Sequence, residues 1–206
     1  MARWEPDASG RLVEAAMELY RERGFDRTTV ADIAERAGLT ERTFFRYFAD
    51  KREVLFSGSA KLQEFLVAQV ASAPAALPPI DVVAGALAAT TSFFEPRRAF
   101  ARHRHALILA HAELQERELI KLAALATAIS EALRQRGVPA PAAGLAADAG
   151  MTIFKRAFEA WVGDGKKTDF GHHVRTAHAE LEAVMAGARR GAAPSGRAPR
   201  SPRKAR

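Results

Sequence analysis

Two arginines and four aromatic residues stand close together in the short segment TERTFFRYF. If this segment is helical, Phe44 and Phe48 share one inward face, and Arg42, Phe45 and Arg46 lie on the opposite side or its flanks. If the Phe45 ring points outward between the two guanidinium groups, its apolar surface is unfavourably exposed to water. Against DNA, the ring can touch a thymine methyl group or a sugar while the arginines reach base edges or phosphates. The segment therefore suits nucleic-acid binding, although an ordinary solvated face of a helical bundle is the alternative.

Signals for helix ends surround this segment and predict how it is held. Thr29 can cap a helix with Asp32 at its third position, and Gly38 ends that helix after about two turns. Thr40 can cap the next helix, and Asp50 a third. Two short helices that meet at a glycine must cross steeply, as in a helix-turn-helix. The residues expected inside the unit are Val30, Ile33, Ala34, Ala37, Leu39, Phe44 and Phe48.

The stretch resembles the amino-terminal domain of the TetR family of bacterial regulators. The resemblance spans about Arg11 to Phe56. It rests on Thr28-Thr29-Val30, Ile33-Ala34, Ala37-Gly38-Leu39-Thr40, Thr43-Phe44-Phe45, Tyr47-Phe48 and Asp50-Lys51. It implies three helices that run into a long fourth, with the helix that begins at Thr40 in the major groove of DNA.

The resemblance also implies roles for individual side chains. Arg42, Thr43 and Phe45 would face bases or sugars, Tyr47 and Lys51 would bind phosphates, and Thr29 would anchor the preceding helix on the DNA backbone. Position 45 is Phe where the family usually has Tyr, so one hydroxyl contact to phosphate is lost there. The complete expected DNA-binding set is Thr29, Thr40, Arg42, Thr43, Phe45, Arg46, Tyr47 and Lys51.

The rest of the chain also reads as helix, which predicts an all-α fold. We expect a three-helix helix-turn-helix domain over residues 1–56, a helical effector-binding and dimerisation domain over 57–186, and a disordered basic tail over 187–206. Later helices are expected at Ile80–Phe94, Arg97–His111, Glu116–Arg136, Ala142–Val162 and Phe170–Met185.

The last two helices are expected to form a homodimer, as the resemblance implies. A two-fold dimer would read both halves of a palindromic operator, whereas one recognition helix makes too few contacts for selectivity. A stripe of small residues could let helices of two subunits approach closely, or could fill the core of one subunit. It comprises Ala146, Ala149, Gly150, Ile153, Ala157 and Ala160.

Charge and composition exclude several classes of protein. The net charge is +7, but residues 1–57 carry 10 Lys/Arg against 11 Asp/Glu, residues 58–186 carry 14 against 13, and residues 187–206 carry 7 against 0. The excess lies in the tail, so it does not mark a DNA-binding face. Apolar stretches are too short to span a bilayer, and we expect a soluble, cytoplasmic protein.

Neither a metal, a cofactor nor an enzymatic activity is expected. Cysteine is absent, so there is no thiolate site. His103 and His105 are two residues apart and would point about 200° away from each other on a helix. Known catalytic motifs, such as a phosphate loop or a cofactor glycine motif, are also missing.

Aromatic residues of the later helices could line a pocket for an unknown small-molecule effector, or could simply be core. They are Phe93, Phe94, Phe100, Phe154, Phe158 and Trp161, with His103 as a polar neighbour. The function expected is therefore a transcriptional repressor released from double-stranded DNA by a small molecule. An architectural DNA-binding protein without an effector is the alternative.

Overall fold

The computed structural model describes residues 7–165 and 168–190. These residues form α-helices and short 3-10 turns, with no strand among them, which confirms the all-α prediction. The helices are α1 (Ala8–Arg23), α2 (Val30–Arg36), α3 (Glu41–Tyr47), α4 (Ser59–Ser72), α5 (Pro79–Ala89), α6 (Thr91–Phe94), α7 (Arg98–Ala110), α8 (Ala112–Gln135), α9 (Ala140–Gly163) and α10 (Phe170–Arg190).

The first helix supports the other two of the amino-terminal unit. The carboxylate of Asp7 accepts from the amide of Gly10 at 2.9 Å and so caps α1. Leu12, Ala16 and Leu19 lie on one face of the helix and are fully or nearly fully buried. At the other end, Gly24 adopts a φ of 84°, which ends the helix and turns the buried ring of Phe25 beneath it.

The larger helical unit is built around α9, which packs against α5, α8 and α10. Gly150 lies so close to α5 that a Cβ atom there would stand 2.3 Å from Cγ1 of Val83. Ala146, Ile153 and Ala157 are likewise buried within the subunit. The central part of the small-residue stripe therefore packs against α5 of the same subunit and not against a second subunit.

Three expected helices differ from those observed. The predicted helix over 80–94 is broken at Thr90, whose buried hydroxyl donates to the carbonyl of Leu87 at 2.6 Å. Helix α8 begins at Ala112, one turn before the expected start. Helix α10 continues to Arg190 instead of ending at Met185. The rest of the basic tail lies outside the described residues.

The amino-terminal unit shares its core with the helices that follow much later in the chain. Leu107 and Ile108 of α7 and Leu114 of α8 are buried in the same cluster as Leu12 and Phe56. Helices α7 and α8 therefore rest directly on the helix-turn-helix.

In the part of the chain that is described, no helix is both long enough and apolar enough to cross a membrane.

Candidate nucleic-acid interface

The start of α2 has the reciprocal cap that the sequence predicts. The Thr29 hydroxyl accepts from the amide of Asp32 at 3.1 Å, and the Asp32 carboxylate accepts from the amide of Thr29 at 2.8 Å. The Thr29 hydroxyl also donates to the Asp32 carboxylate at 2.6 Å. These bonds to Thr29 hold the pKa of Asp32 below its ordinary value. Because its hydroxyl is engaged with Asp32, Thr29 positions α2 in this structure.

Gly38 makes the turn between α2 and α3 by taking a left-handed conformation with a φ of 66°. The amide of Leu39 donates to the carbonyl of Ala34 at 2.8 Å, and that of Gly38 to the carbonyl of Glu35 at 2.9 Å. This pattern closes the carboxyl end of α2 and leaves almost no loop. This turn is the feature from which the sequence predicts that α2 and α3 cross steeply.

Helix α3 separates its aromatic residues by face. Thr40 caps it, with its hydroxyl accepting from the amide of Thr43 at 3.2 Å. Phe44 is completely buried, and Phe48 nearly so. In contrast, the side chains of Phe45 and Tyr47 are 55% and 44% exposed. The aromatic surface expected on the outer side is therefore present.

The outer face of α3 also carries the two arginines, both exposed. Arg46 lies over the ring of Tyr47, with its Cζ atom 4.9 Å from the ring centroid, and its Nη2 atom donates to the Tyr47 hydroxyl at 3.3 Å. Arg42 stands one turn before Arg46 on the same helix. Together with Phe45, these side chains form an exposed cationic and aromatic surface, which we call the α3 surface: Arg42, Phe45, Arg46 and Tyr47.

Lys51 does not extend into this surface. Its ammonium donates to the carbonyls of Phe25 at 2.8 Å, Thr28 at 3.0 Å and Asp26 at 3.3 Å, and it lies 4.4 Å from the centroid of the Phe25 ring. An ammonium has three donors, and all three have partners here. In this structure the Lys51 side chain therefore holds the loop after α1, and its contact with phosphate stays a prediction.

The third helix expected from Asp50 onward is a short 3-10 turn, Glu53–Phe56, before α4. Asp50 caps it, accepting from the amides of Arg52 at 2.8 Å and Glu53 at 3.1 Å. Glu53 turns toward α8, where its carboxylate oxygens lie 2.6 Å from Nε of Arg117 and 3.0 Å from Nζ of Lys121. The amides at the start of this turn thus donate to the carboxylate of Asp50.

Arg104 of α7 makes a second link to the amino-terminal unit. Its Nε atom donates to the carbonyl of Leu55 at 2.7 Å, and its guanidinium lies 4.9 Å from the centroid of the Phe56 ring. Nη1 of Arg104 also donates to Glu118 of α8 at 3.0 Å. Burial lowers the pKa of this guanidinium below its ordinary value. A partly buried arginine with these bonds ties α7 and α8 to the end of the helix-turn-helix.

The expected effector residues are divided between two places. Phe154, Phe158 and Trp161 of α9 pack with Phe94 and Phe170, and ring centroids between these residues are 4.8–6.0 Å apart. We call these five residues the aromatic cluster. Phe93 contacts it through Phe94, at a centroid distance of 5.9 Å.

Phe100 and His103 lie elsewhere, since they face the opposite side of α7. Phe100 packs against the core of the amino-terminal unit. Burial, with the charge of Arg21 on α1, lowers the pKa of His103. His105 takes the place expected for His103, with its ring 5.6 Å from that of Phe158. The two histidines point in nearly opposite directions, as their two-residue spacing predicts, but which of them meets the cluster depends on the rotation of α7.

Two family models match the chain. One, described as "Bacterial regulatory proteins, tetR family", matches residues 12–57, and the other, "MftR C-terminal domain", matches residues 77–186. The second match covers 110 of the 206 residues, which is more than half of the chain. The chain belongs to the TetR family. As a TetR-family protein with a helix-turn-helix, it is placed among DNA-binding transcriptional regulators and not among enzymes.

Curated relatives agree with this placement. The chain is 37% identical over 79 residues to the HTH-type transcriptional regulator TcmR of Streptomyces glaucescens, which is 38% of this chain and 35% of TcmR. It is 31% identical over 104 residues to the putative mycofactocin biosynthesis transcriptional regulator MftR of Mycobacterium tuberculosis, which is 50% of this chain and 52% of MftR. The matches thus span about a third and about half of these relatives.

Solved structures share the fold of the TetR-family chain. A putative TetR-family regulator from Syntrophomonas wolfei has a TM-score of 0.62 at 15% identity, with 88% of this chain and 96% of that one covered. Thermus thermophilus FadR, solved with lauroyl-CoA, has a TM-score of 0.52 at 23% identity, with 95% and 100% covered. The complex of SmeT with triclosan has a TM-score of 0.61 at 18% identity, with 86% and 90% covered.

Proposed function

We propose that this TetR-family protein is a homodimeric repressor that binds a palindromic operator and is released when a small apolar molecule binds its helical domain. The observation that carries the proposal is the α3 surface. Exposed cationic and aromatic side chains stand on one side of a helix whose other side is locked into the core by Phe44 and Phe48. Such a rigid, projecting helix suits the major groove.

Each side chain of the α3 surface has a proposed contact. Arg42, Thr43 and Phe45 face bases or sugars, and Arg46 binds a base edge or a phosphate. Tyr47 donates its hydroxyl to a phosphate. Thr40 can contribute its hydroxyl as well, because it stands at the exposed start of α3.

Thr29 acts indirectly in this proposal, by fixing α2 behind α3. Lys51 has a similar role, because its ammonium holds the loop after α1. The start of the following 3-10 turn is capped by Asp50. Phosphate binding is thus assigned to α3 and not to this turn.

The proposed dimer interface lies on the outward faces of α9 and α10. Leu145, Val184 and Met185 are large apolar side chains that are mostly exposed in the single chain. A second copy related by a two-fold axis would cover them, and would present two α3 helices to successive turns of the operator.

The proposed effector site is the aromatic cluster together with His105. Its rings are in contact here, so a ligand would have to separate them and move the helices that carry them. A predominantly apolar lining favours an apolar ligand. The lauroyl-CoA of Thermus thermophilus FadR and the triclosan of SmeT, ligands of proteins with this fold, have large apolar parts and are suitable first probes.

Coupling between the two sites is proposed to run through α7. Adjacent residues of this helix point to the two sites, because His105 contacts Phe158 of the aromatic cluster and Arg104 contacts Leu55 and Phe56. A ligand that shifts α7 would change the position of the amino-terminal unit and the spacing of the two α3 helices. The ligand would favour a conformation that no longer matches the operator.

The domain limits that follow are residues 1–56 for DNA binding and 57–186 for effector binding and dimerisation. The basic residues of 187–206 would add attraction to phosphates that does not depend on sequence. A repressor with these partners acts in the cytoplasm, where bacterial DNA lies.

The decisive experiment is selection of DNA from a random pool, followed by titration of the selected site and of random DNA at several salt concentrations. We expect a dimer that prefers the selected palindrome by at least about 10³-fold, and release by an apolar probe. A matched variant that ends at Arg190 tests the tail, and it should keep this preference. Equal affinity for random DNA would contradict the proposal and support an architectural protein.

A further inference from the structure

Three side chains with metal-binding atoms meet where α5 packs against α10. They are Asp81, in the first turn of α5, and His178 and Glu182, one turn apart on α10. One nitrogen and two carboxylate oxygens, one from each residue, all lie within 4.8 Å of one another. The set is far in sequence from α3, and none of its members belongs to the aromatic cluster.

The imidazole of His178 is the most informative member of the set. Its Nε2 atom is buried, and it has no hydrogen-bond partner among the described residues. Oδ1 of Asp81 is 3.4 Å away, within ion-pair distance, but no hydrogen bond joins the two atoms. A buried polar atom without a hydrogen bond is costly and requires an explanation. A bound cation between the two groups supplies one.

The separation of the first two ligand atoms fits such a cation. Zinc binds imidazole nitrogen and carboxylate oxygen at about 2.0–2.2 Å, so two ligands at a tetrahedral angle stand about 3.4 Å apart. Asp81 and His178 already have this separation. Glu182 is exposed, so its side chain is free to rotate toward the same point.

The donor types select the class of ion. Imidazole with two carboxylates suits zinc and neighbouring divalent transition metals, whereas magnesium prefers a shell of oxygens alone. Three protein ligands would leave a fourth position open to water or to another ligand. We propose that Asp81, His178 and Glu182 bind a divalent transition-metal ion of the zinc class, which pins α10 to α5.

This proposal replaces the expectation of a metal-free protein. The histidines compared in the sequence were His103 and His105, both on α7. The pair His178 and Glu182 has the four-residue spacing that puts two ligands on one helix face. Asp81 stands almost a hundred residues earlier, and only the packing of α5 against α10 brings it to this pair.

The test is calorimetric titration of the tag-free full chain with zinc chloride, and with cobalt chloride followed by its visible absorption spectrum. We expect saturable binding, a spectrum of low coordination number and a higher melting temperature in zinc. His178→Gln and Glu182→Gln should each weaken binding by at least about tenfold, since even outer-shell changes at metal sites cost about 10–100-fold. Glu182 is exposed, so its variant should keep the metal-free melting temperature.

His173→Gln is the matched control. His173 faces Asp164 at 3.2 Å in a similar pair, but the group of three found among the described residues does not include it. Zinc affinity of this control should equal that of the unaltered chain. If the His178 and Glu182 variants bound zinc as tightly as the unaltered chain, the proposal would be overturned. It would also be overturned if magnesium raised the melting temperature and zinc had no effect. This test does not depend on DNA binding, so its outcome leaves the proposed repressor function standing.

Discussion

Phe44 and Phe45 are neighbours of the same type, yet we expect opposite outcomes when each is replaced by alanine. Phe44 is fully buried, and Phe44→Ala should cost about 3–5 kcal/mol in the free energy of unfolding. Phe45 is 55% exposed, so less than half of its surface is buried against the protein. Complete burial of Phe is worth about 1.5–3 kcal/mol, and Phe45→Ala should therefore cost less than about 1.5 kcal/mol of stability.

The effect of Phe45→Ala on DNA binding can be worked out from the same fraction. If docking removes the exposed 55% of Phe45 from water, this contact contributes about 0.8–1.6 kcal/mol to binding, or about 4- to 15-fold in affinity. The loss should persist at high salt, because the contact is apolar. An arginine contact to phosphate would instead weaken as salt rises.

Thermal unfolding and titration of the selected operator measure the two effects separately. Phe45→Ala should melt close to the unaltered protein and bind the operator more weakly, whereas Phe44→Ala should melt far below it. Unchanged operator affinity in a folded Phe45→Ala protein would refute the proposed role of the α3 surface. A loss of stability as large as that of Phe44→Ala would refute the placement of Phe45 on the outside.

Further predictions concern the same unit. Arg42→Ala should weaken operator binding by about 1–3 kcal/mol and relax discrimination at one base pair, as titration of single-base operator variants would measure; uniform loss across these variants would instead indicate a phosphate contact. Thr40→Ala should lower the free energy of unfolding by about 0.5–2 kcal/mol, measured in urea, because α3 loses its cap. Gly38→Ala should cost about 1–2 kcal/mol in the same assay, since its φ of 66° is unfavourable for alanine. The pKa of Asp32 is lowered in the folded protein, so its carboxylate stabilises the fold above the ordinary Asp pKa of about 3.9. This stabilisation is lost as the pH falls through the still lower folded pKa. Asp32→Asn should therefore flatten the acid side of a plot of unfolding free energy against pH.

The amino-terminal unit could be predicted from the sequence because its determinants are local. The caps of Thr29 and Thr40, the turn at Gly38 and the four-residue spacing of Phe44 and Phe48 each act within one helix or one turn. A helix cap or an αL turn depends on a few adjacent residues, and these are readable in one stretch of sequence.

Features that depend on distant contacts could not be predicted from the sequence alone. Lys51 looked available for phosphate, but its partners are three carbonyls more than twenty residues earlier in the chain. The small-residue stripe of α9 suits either a dimer surface or the core of one subunit, and Val83 of α5 occupies its centre. Small residues at helical spacing allow another helix to pack closely, but they do not determine which helix packs there.

The aromatic residues show the same limit. Their types indicated an apolar cluster, and Phe154, Phe158 and Trp161 do pack together. Phe100 was separated from them because α7 lies between two cores, and the sequence does not say which face meets which core. His105 contacts Phe158 of this cluster and His103 does not belong to it, and this choice requires knowing the rotation of α7.

The core shared by α1 with Leu107, Ile108 and Leu114 has a consequence for how such regulators can be recombined. A chimaera that exchanges only the first 56 residues with another regulator keeps its operator-reading helix but leaves foreign side chains against α7 and α8. Arg104 would likewise meet a new partner in place of Phe56. The exchangeable module is therefore discontinuous in sequence, and new operator specificity can be transplanted cleanly when the neighbouring turns of α7 and α8 travel with the helix-turn-helix.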